Sequence, residues 1–157
     1  MRLTVARFCS LLFVALALAP GLAHLLELPN KIGLSRDDYL TVQKIYRGWA
    51  LLGVVVVGAL LSTLVLAILV RTRPRVFVAA VIALVCIAGT QVVFWTYTFP
   101  ANRETRNWTV LPEHWMALRS QWEYSHAASA VLTFVALVAL ILAVVGRKAE
   151  GSDGRIG

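Results

Sequence analysis

The sequence predicts an all-α integral membrane protein, a four-transmembrane-helix bundle whose helices 2 and 4 extend on the outer face. Three observations carry this prediction. Four apolar runs, 8–28, 49–70, 76–99 and 124–145, each reach the roughly 20 residues that a helix needs to cross a hydrocarbon core. None of them alternates with period two, and lipid admits only helices or closed barrels. The 59% hydrophobic content and mean hydropathy of +0.76 leave too little polar surface to cover a soluble core. Residues 1–147 therefore read as one membrane domain, and the polar, glycine-rich 148–157 as a disordered cytoplasmic tail.

The net charge of +7 does not indicate nucleic acid, because the basic residues cluster beside apolar runs instead of alternating with aromatics on one face. Arg2 and Arg7 precede the first run, Arg71, Arg73 and Arg75 link the second to the third, and Arg147, Lys148 and Arg155 follow the fourth. Only Glu150 and Asp153 offset them, whereas the other two loops mix basic residues with six acids. An excess of Lys and Arg marks the cytoplasmic side, so both termini are expected inside and both long loops outside.

In the first run, the basic start, apolar core and small residues Gly21 and Ala23 also fit a secretory signal cleaved before His24. The run continues to Leu28, longer than the 7–15-residue core of such a signal, which favours an intact span kinked at Pro20. Pro29, Asn30 and Gly33 are expected to end it. Ser35, with Asp38 three residues on, then reads as a capping box. From there the helical pattern runs to Val70, with Tyr39, Val42, Tyr46 and Trp49 on one stripe. Pro100 is expected to end the third span, and Pro112 to open the helix that becomes the fourth.

Trp115, Leu118 and Trp122 repeat the spacing of Tyr39, Val42 and Tyr46, so two aromatic helical extensions could pack together above the membrane. Membership of an interfacial aromatic belt accounts for Trp49 and Trp95 but poorly for Trp115, which lies far from the apolar run. Cys9 and Cys86 sit inside apolar runs and read as small buried hydrophobes. Phosphate loops, nucleophile elbows, CxxC pairs and metalloprotease helices are absent from the sequence.

The chemistry-bearing residues form two pairs at helical spacing, His24-x-x-Glu27 and Glu123-x-x-His126. With the first and fourth spans antiparallel, helical rise puts both imidazoles at one depth and both carboxylates about 4.5 Å further out. Ionisable groups at membrane depth are expensive, which draws attention to them. Three readings stand. His24, Glu27, Glu123 and His126 could hold a metal, although a di-iron bundle would need carboxylates from the other two helices. Haem between His24 and His126 is conceivable but has no further signature. A pocket for an aromatic or quinone-like ligand could use His126 as acid/base, with Arg119 or Glu123 orienting it. The third reading is structural: the groups snorkel to water and form ion pairs such as Arg119 with Glu123. His114 reads as a solvated surface residue.

FPANRETRNW followed by WMALRSQWEYSH resembles the small bacterial four-span proteins grouped with the anthrone oxygenases, through Pro100, Asn102, Trp115, Arg119, Trp122 and His126. HLLELPNK and YLTVQKIYRGWALLG are similar to further members of that group. The resemblance implies a four-helix membrane bundle, and oxidation of an anthrone to an anthraquinone by molecular oxygen with no established metal or flavin. It places the protein in the bacterial inner membrane. Together with the two histidine–glutamate pairs, the resemblance makes His126, His24, Glu123 and Arg119 the catalytic candidates and Asn102, Trp115, Trp122 and Trp108 the substrate-binding ones, with no cofactor expected. A histidine would take a proton from an acidic carbon or phenol while Asn102 and Arg119 hold the oxyanion. The expected partners are the lipid bilayer, a small aromatic ligand and a membrane protein partner or second copy, without nucleic acid. The alternative is a non-enzymatic partner subunit or envelope assembly factor that binds another chain through its outer helical cap.

Overall fold

The structure, a computed structural model, describes residues 1–145, so the tail at 148–157 lies outside the described residues. Four helices are long and apolar enough to cross a membrane: Arg2–Lys31, Trp49–Val70, Pro74–Glu104 and Trp115–Val145. Among the described residues there is no strand, and the all-α four-helix bundle expected from the apolar runs is what forms.

The first helix, α1 (Arg2–Lys31), has 30 residues and contains both Pro20 and Pro29. Pro29 does not end it, contrary to expectation. The proline removes a single donor, and the last turn still closes through the Ile32 N–H donating to the Leu28 carbonyl at 3.0 Å. The consequence is large, because the extra turn carries Lys31 onto the same face as Glu27.

Beyond α1 Ser35 caps α2 (Arg36–Gln43) as predicted, although Asp38 returns the contact to the Ser35 hydroxyl and not to its N–H, so only half of the capping box forms. The Ser35 hydroxyl accepts from the Asp38 N–H at 3.3 Å and donates to the Asp38 carboxylate at 2.6 Å. The continuous helix expected from here to Val70 is broken, however. After a 3-10 turn at Lys44–Tyr46 the chain takes a left-handed step at Gly48, with φ of +90°, and a second 3-10 turn, Trp49–Leu52, leads into α3 (Gly53–Val70). A residue without Cβ can take that step freely, and it turns α2 out of line with the span. A Cβ at Gly48 would meet nothing within 4 Å, so any penalty there is conformational. Gly48→Ala is expected to cost about 1–2 kcal/mol, read as a lower unfolding midpoint in detergent; an unchanged midpoint would show that the turn relaxes without loss.

The third span corrects a second expectation. α4 (Pro74–Val93) passes through a π-helical turn, Phe94–Thr98, into α5 (Phe99–Glu104), so Pro100 lies inside the helical segment. The wide turn shifts the hydrogen-bond register, and Pro100 then enters at the first turn of α5, where its missing N–H costs little. The following loop holds three successive left-handed residues, Arg106, Asn107 and Trp108. Thr105 ties the loop back: its hydroxyl accepts from the Trp108 N–H at 3.1 Å and its carbonyl from the Thr109 and Val110 N–H groups. Pro112 falls in the turn before the last helix, its carbonyl accepting from the Trp115 N–H, and α6 (Trp115–Val145) then runs unbroken for 31 residues. At 1.5 Å per residue that is about 46 Å, well beyond a 30 Å hydrocarbon core. The outward extension of span four is thus continuous, and that of span two is a separate helix folded over the bundle.

In the bundle α1 packs against α3 and α6, and α4 against α3 and α6, which closes a ring of four. Small residues at the centre, including Ala59, Ala80, Ala83, Ala136 and Ala139, let the helices approach around Val14, Leu66, Ile87 and Leu140. Large apolar side chains such as Phe8, Leu61, Val85 and Leu142 face outwards, the inverse of a soluble protein and suited to lipid. A second, aromatic core of Tyr39, Ala101, Trp108, Leu118 and Trp122 lies at the end of the bundle covered by α2.

Candidate functional site

The site begins where α1 crosses α6. A Cβ on Gly21 would lie 3.4 Å from the Cα and Cβ of Ala130, so the two helices touch almost backbone to side chain. One turn along each helix toward the cap, this contact delivers His24 and His126 to each other. Their rings stack with centroids 4.2 Å apart and planes inclined by 21°. His24 is buried and His126 half-buried. Trp122 presents an edge to both, at 5.0 and 4.3 Å, and Tyr46 and Trp49 flank His24 at 4.5 and 5.6 Å. Tyr46 and Trp49 reach the pair because Gly48 turns the chain between them.

The next layer toward the cap is ionic, and its centre is Lys31. The ammonium lies 3.2 Å from Glu123 and 3.4 Å from Glu27, donates to the Tyr46 hydroxyl at 2.6 Å, and sits over the Tyr46 and Trp122 rings. Tyr46 in turn donates to Glu27, and Tyr39 donates to Glu123 at 3.0 Å. Lys31 is only 4% exposed and Glu123 fully buried, whereas Glu27 keeps 37% of its side chain exposed. Burial first, then the carboxylates they face, push both phenols above the usual tyrosine range, so Tyr39 and Tyr46 stay protonated as donors.

Arg119, Asn102, Trp108 and Trp115 belong to the layer above. Arg119 donates to the Leu34 carbonyl at 2.8 Å and lies over the Trp115 and Tyr39 rings. Asn102 accepts from the Trp122 indole at 2.8 Å. Trp108, carried by the left-handed loop, meets Tyr39 and Trp122 edge-on. These four residues build the cap; the histidines, both glutamates, Lys31 and Trp122 build the site beneath it. The carboxylate of Glu123 pairs with Lys31 across helices, not along α6 with Arg119 as the structural reading supposed. His114 pairs with Glu104 at 2.6 Å on the surface, both well exposed.

Lys31, Tyr39 and Tyr46 are the site residues that sequence reasoning did not select. Lys31 follows Glu27 at i+4 and His24 at i+7, a signal that was legible but masked by the assumption that Pro29 ends the helix. Two buried atoms at the site have no hydrogen-bond partner in the protein, His24 Nδ1 and Glu123 Oε2. Buried polar atoms rarely go unbonded; the carboxylate oxygen accepts only and suits a ligand hydroxyl, whereas the imidazole nitrogen suits a ligand hydroxyl or carbonyl. Among the described residues no three His, Cys, Asp or Glu side chains are grouped to hold a metal, and the position between the two carboxylates is taken by the Lys31 ammonium.

The fold and site define a multi-pass helical membrane protein with a buried, charge-paired cluster at one end of its bundle. No family model matches the chain, and no curated protein or solved structure matches it either.

Proposed function

We propose that this cluster is an acid/base site for an aromatic or quinone-like small molecule, in a protein of the bacterial inner membrane with both termini in the cytoplasm. The observation that carries the reading is the stacked His24–His126 pair, walled by Tyr46, Trp49 and Trp122. Aromatic walls suit a flat apolar ligand, and a neutral imidazole can take a proton from a phenol or an acidic carbon. His24 Nδ1 is free to bond the ligand's oxygen, and Glu123 Oε2 is free to accept from a ligand hydroxyl. Asn102 and Arg119 are positioning residues in this reading, since each is already engaged within the cap.

The resemblance to anthrone oxygenases supplies the finer form. A histidine would remove the acidic anthrone proton, and the resulting enolate would react with molecular oxygen to give the anthraquinone and water, one oxygen atom entering each product. The reaction so written calls for no resident metal or flavin. Metal and chromophore analysis of the purified protein, repeated on His126→Ala, tests that part.

The site itself is tested by adding anthrone or quinone to detergent-solubilised protein and following tryptophan fluorescence and oxygen uptake. Quenching is expected in the wild type and in His114→Ala. In His126→Ala oxygen uptake should fall by about 10²-fold or more, as for loss of a general base. A folded wild type that shows neither response would refute the reading. The alternative, a non-enzymatic partner subunit, draws on Ile45, Val110 and Met116 exposed on the cap, and predicts that His126→Ala changes stability alone.

A further inference from the structure

At the opposite end of the bundle, the seam between α1 and α3 forms an open groove of about 640 Å³ on the outward face. Its walls are apolar: Val5, Cys9 and Phe13 from α1 face Leu61, Val65 and Leu69 from α3. Ser62 also lines it, but its hydroxyl is turned back onto the Gly58 carbonyl at 2.7 Å. The two helices run in opposite directions, so Arg2 and Leu69 share the mouth while Phe13 and Gly58 share the far end. A Cβ at Gly58 would lie 2.7 Å from the Phe13 ring; the glycine lets that ring lie on α3 and close the groove.

Length and charge select the occupant. From Arg2 to Phe13 is about 16 Å at helical rise, close to half of a 30 Å hydrocarbon core, which is the reach of one leaflet's acyl chain. The mouth is basic. Arg2 lines it, Arg71 and Arg73 are exposed in the adjoining turn after α3, and no acidic residue lies at this end among the described residues. We infer that this groove binds one acyl chain of an anionic phospholipid whose phosphate is held by Arg2. A zwitterionic lipid would fill the same apolar walls but gain less from the basic mouth, by about fivefold for each basic residue near the headgroup.

The test is native mass spectrometry of the full chain in detergent, titrated with phosphatidylglycerol or phosphatidylcholine of the same chain length. The wild type is expected to retain one phosphatidylglycerol at least about fivefold better than phosphatidylcholine. Arg2→Gln should erase most of that preference. Val65→Trp, which puts an indole into the groove, should lose the bound lipid, while Val85→Trp, on an outward position of α4 that does not line it, should keep it. Equal retention of the two lipids by the wild type, or undiminished phosphatidylglycerol retention by Val65→Trp, would overturn the proposal. If Val65→Trp does not fold, by circular dichroism, Arg2→Gln decides: an unchanged preference overturns it.

Discussion

Replacing Lys31 by methionine is expected to destabilise the protein by about 3–5 kcal/mol, the usual cost of removing one partner of a buried ion pair. The side chain is 4% exposed, and its ammonium is shared by Glu123, Glu27 and the Tyr46 hydroxyl. Methionine fills much of the same volume, so the loss would come from Glu123. That fully buried carboxylate would keep Tyr39 as its hydrogen-bond donor but lose its cation. Unfolding in mixed micelles measures the effect. A second substitution separates charge from packing: Lys31→Met with Glu123→Gln removes both charges, and should be more stable than the single variant. The surface pair His114–Glu104 gives the contrast, because an exposed pair is worth at most about 1 kcal/mol. A Lys31→Met variant no weaker than that would mean that the carboxylates reach water and that the layer is not a closed ionic lock.

Lys31 also shows where the sequence could and could not be read. The spans were legible because a run of about 20 apolar residues admits few other structures in lipid. The meeting of the two histidine–glutamate pairs was legible for a similar reason, since helical rise and antiparallel packing fix relative depth before any side chain is placed. The cap was less so. Local rules put helix ends at Pro29 and Pro100, yet one lost donor did not stop α1, and a π-helical turn carried the third span past Pro100. Gly48 looked like one more glycine in a helical pattern, although its left-handed step decides that Tyr39 and Tyr46 fold back onto α1 and α6. The stripe of Tyr39, Val42, Tyr46 and Trp49 was visible as apolar surface. Its hydroxyl partners were not, because they depend on a break that tertiary contacts select and helical periodicity cannot report.

Trp122→Ala is the second large effect, expected at about 3–5 kcal/mol for truncating a buried tryptophan. Trp122 joins three layers that come from different parts of the chain. Its ring edges meet His24 and His126 below and Trp108 above, and Lys31 lies 5.2 Å from it. Its indole donates to Asn102, which ties α6 to α5 at 2.8 Å. Trp122→Phe keeps an aromatic face but drops the donor, and should cost less, about 1–3 kcal/mol for the Asn102 acceptor left without its bond. The half-buried Trp115 lies over Arg119 and is not part of the histidine layer, so Trp115→Ala should be milder than Trp122→Ala. The order Trp122→Ala, then Trp122→Phe and Trp115→Ala, would establish that the indole holds the cap down on the histidine pair. If Trp115→Ala proved the more damaging, the cap would be held chiefly from above, by Arg119 and its rings, and not by the Trp122 indole.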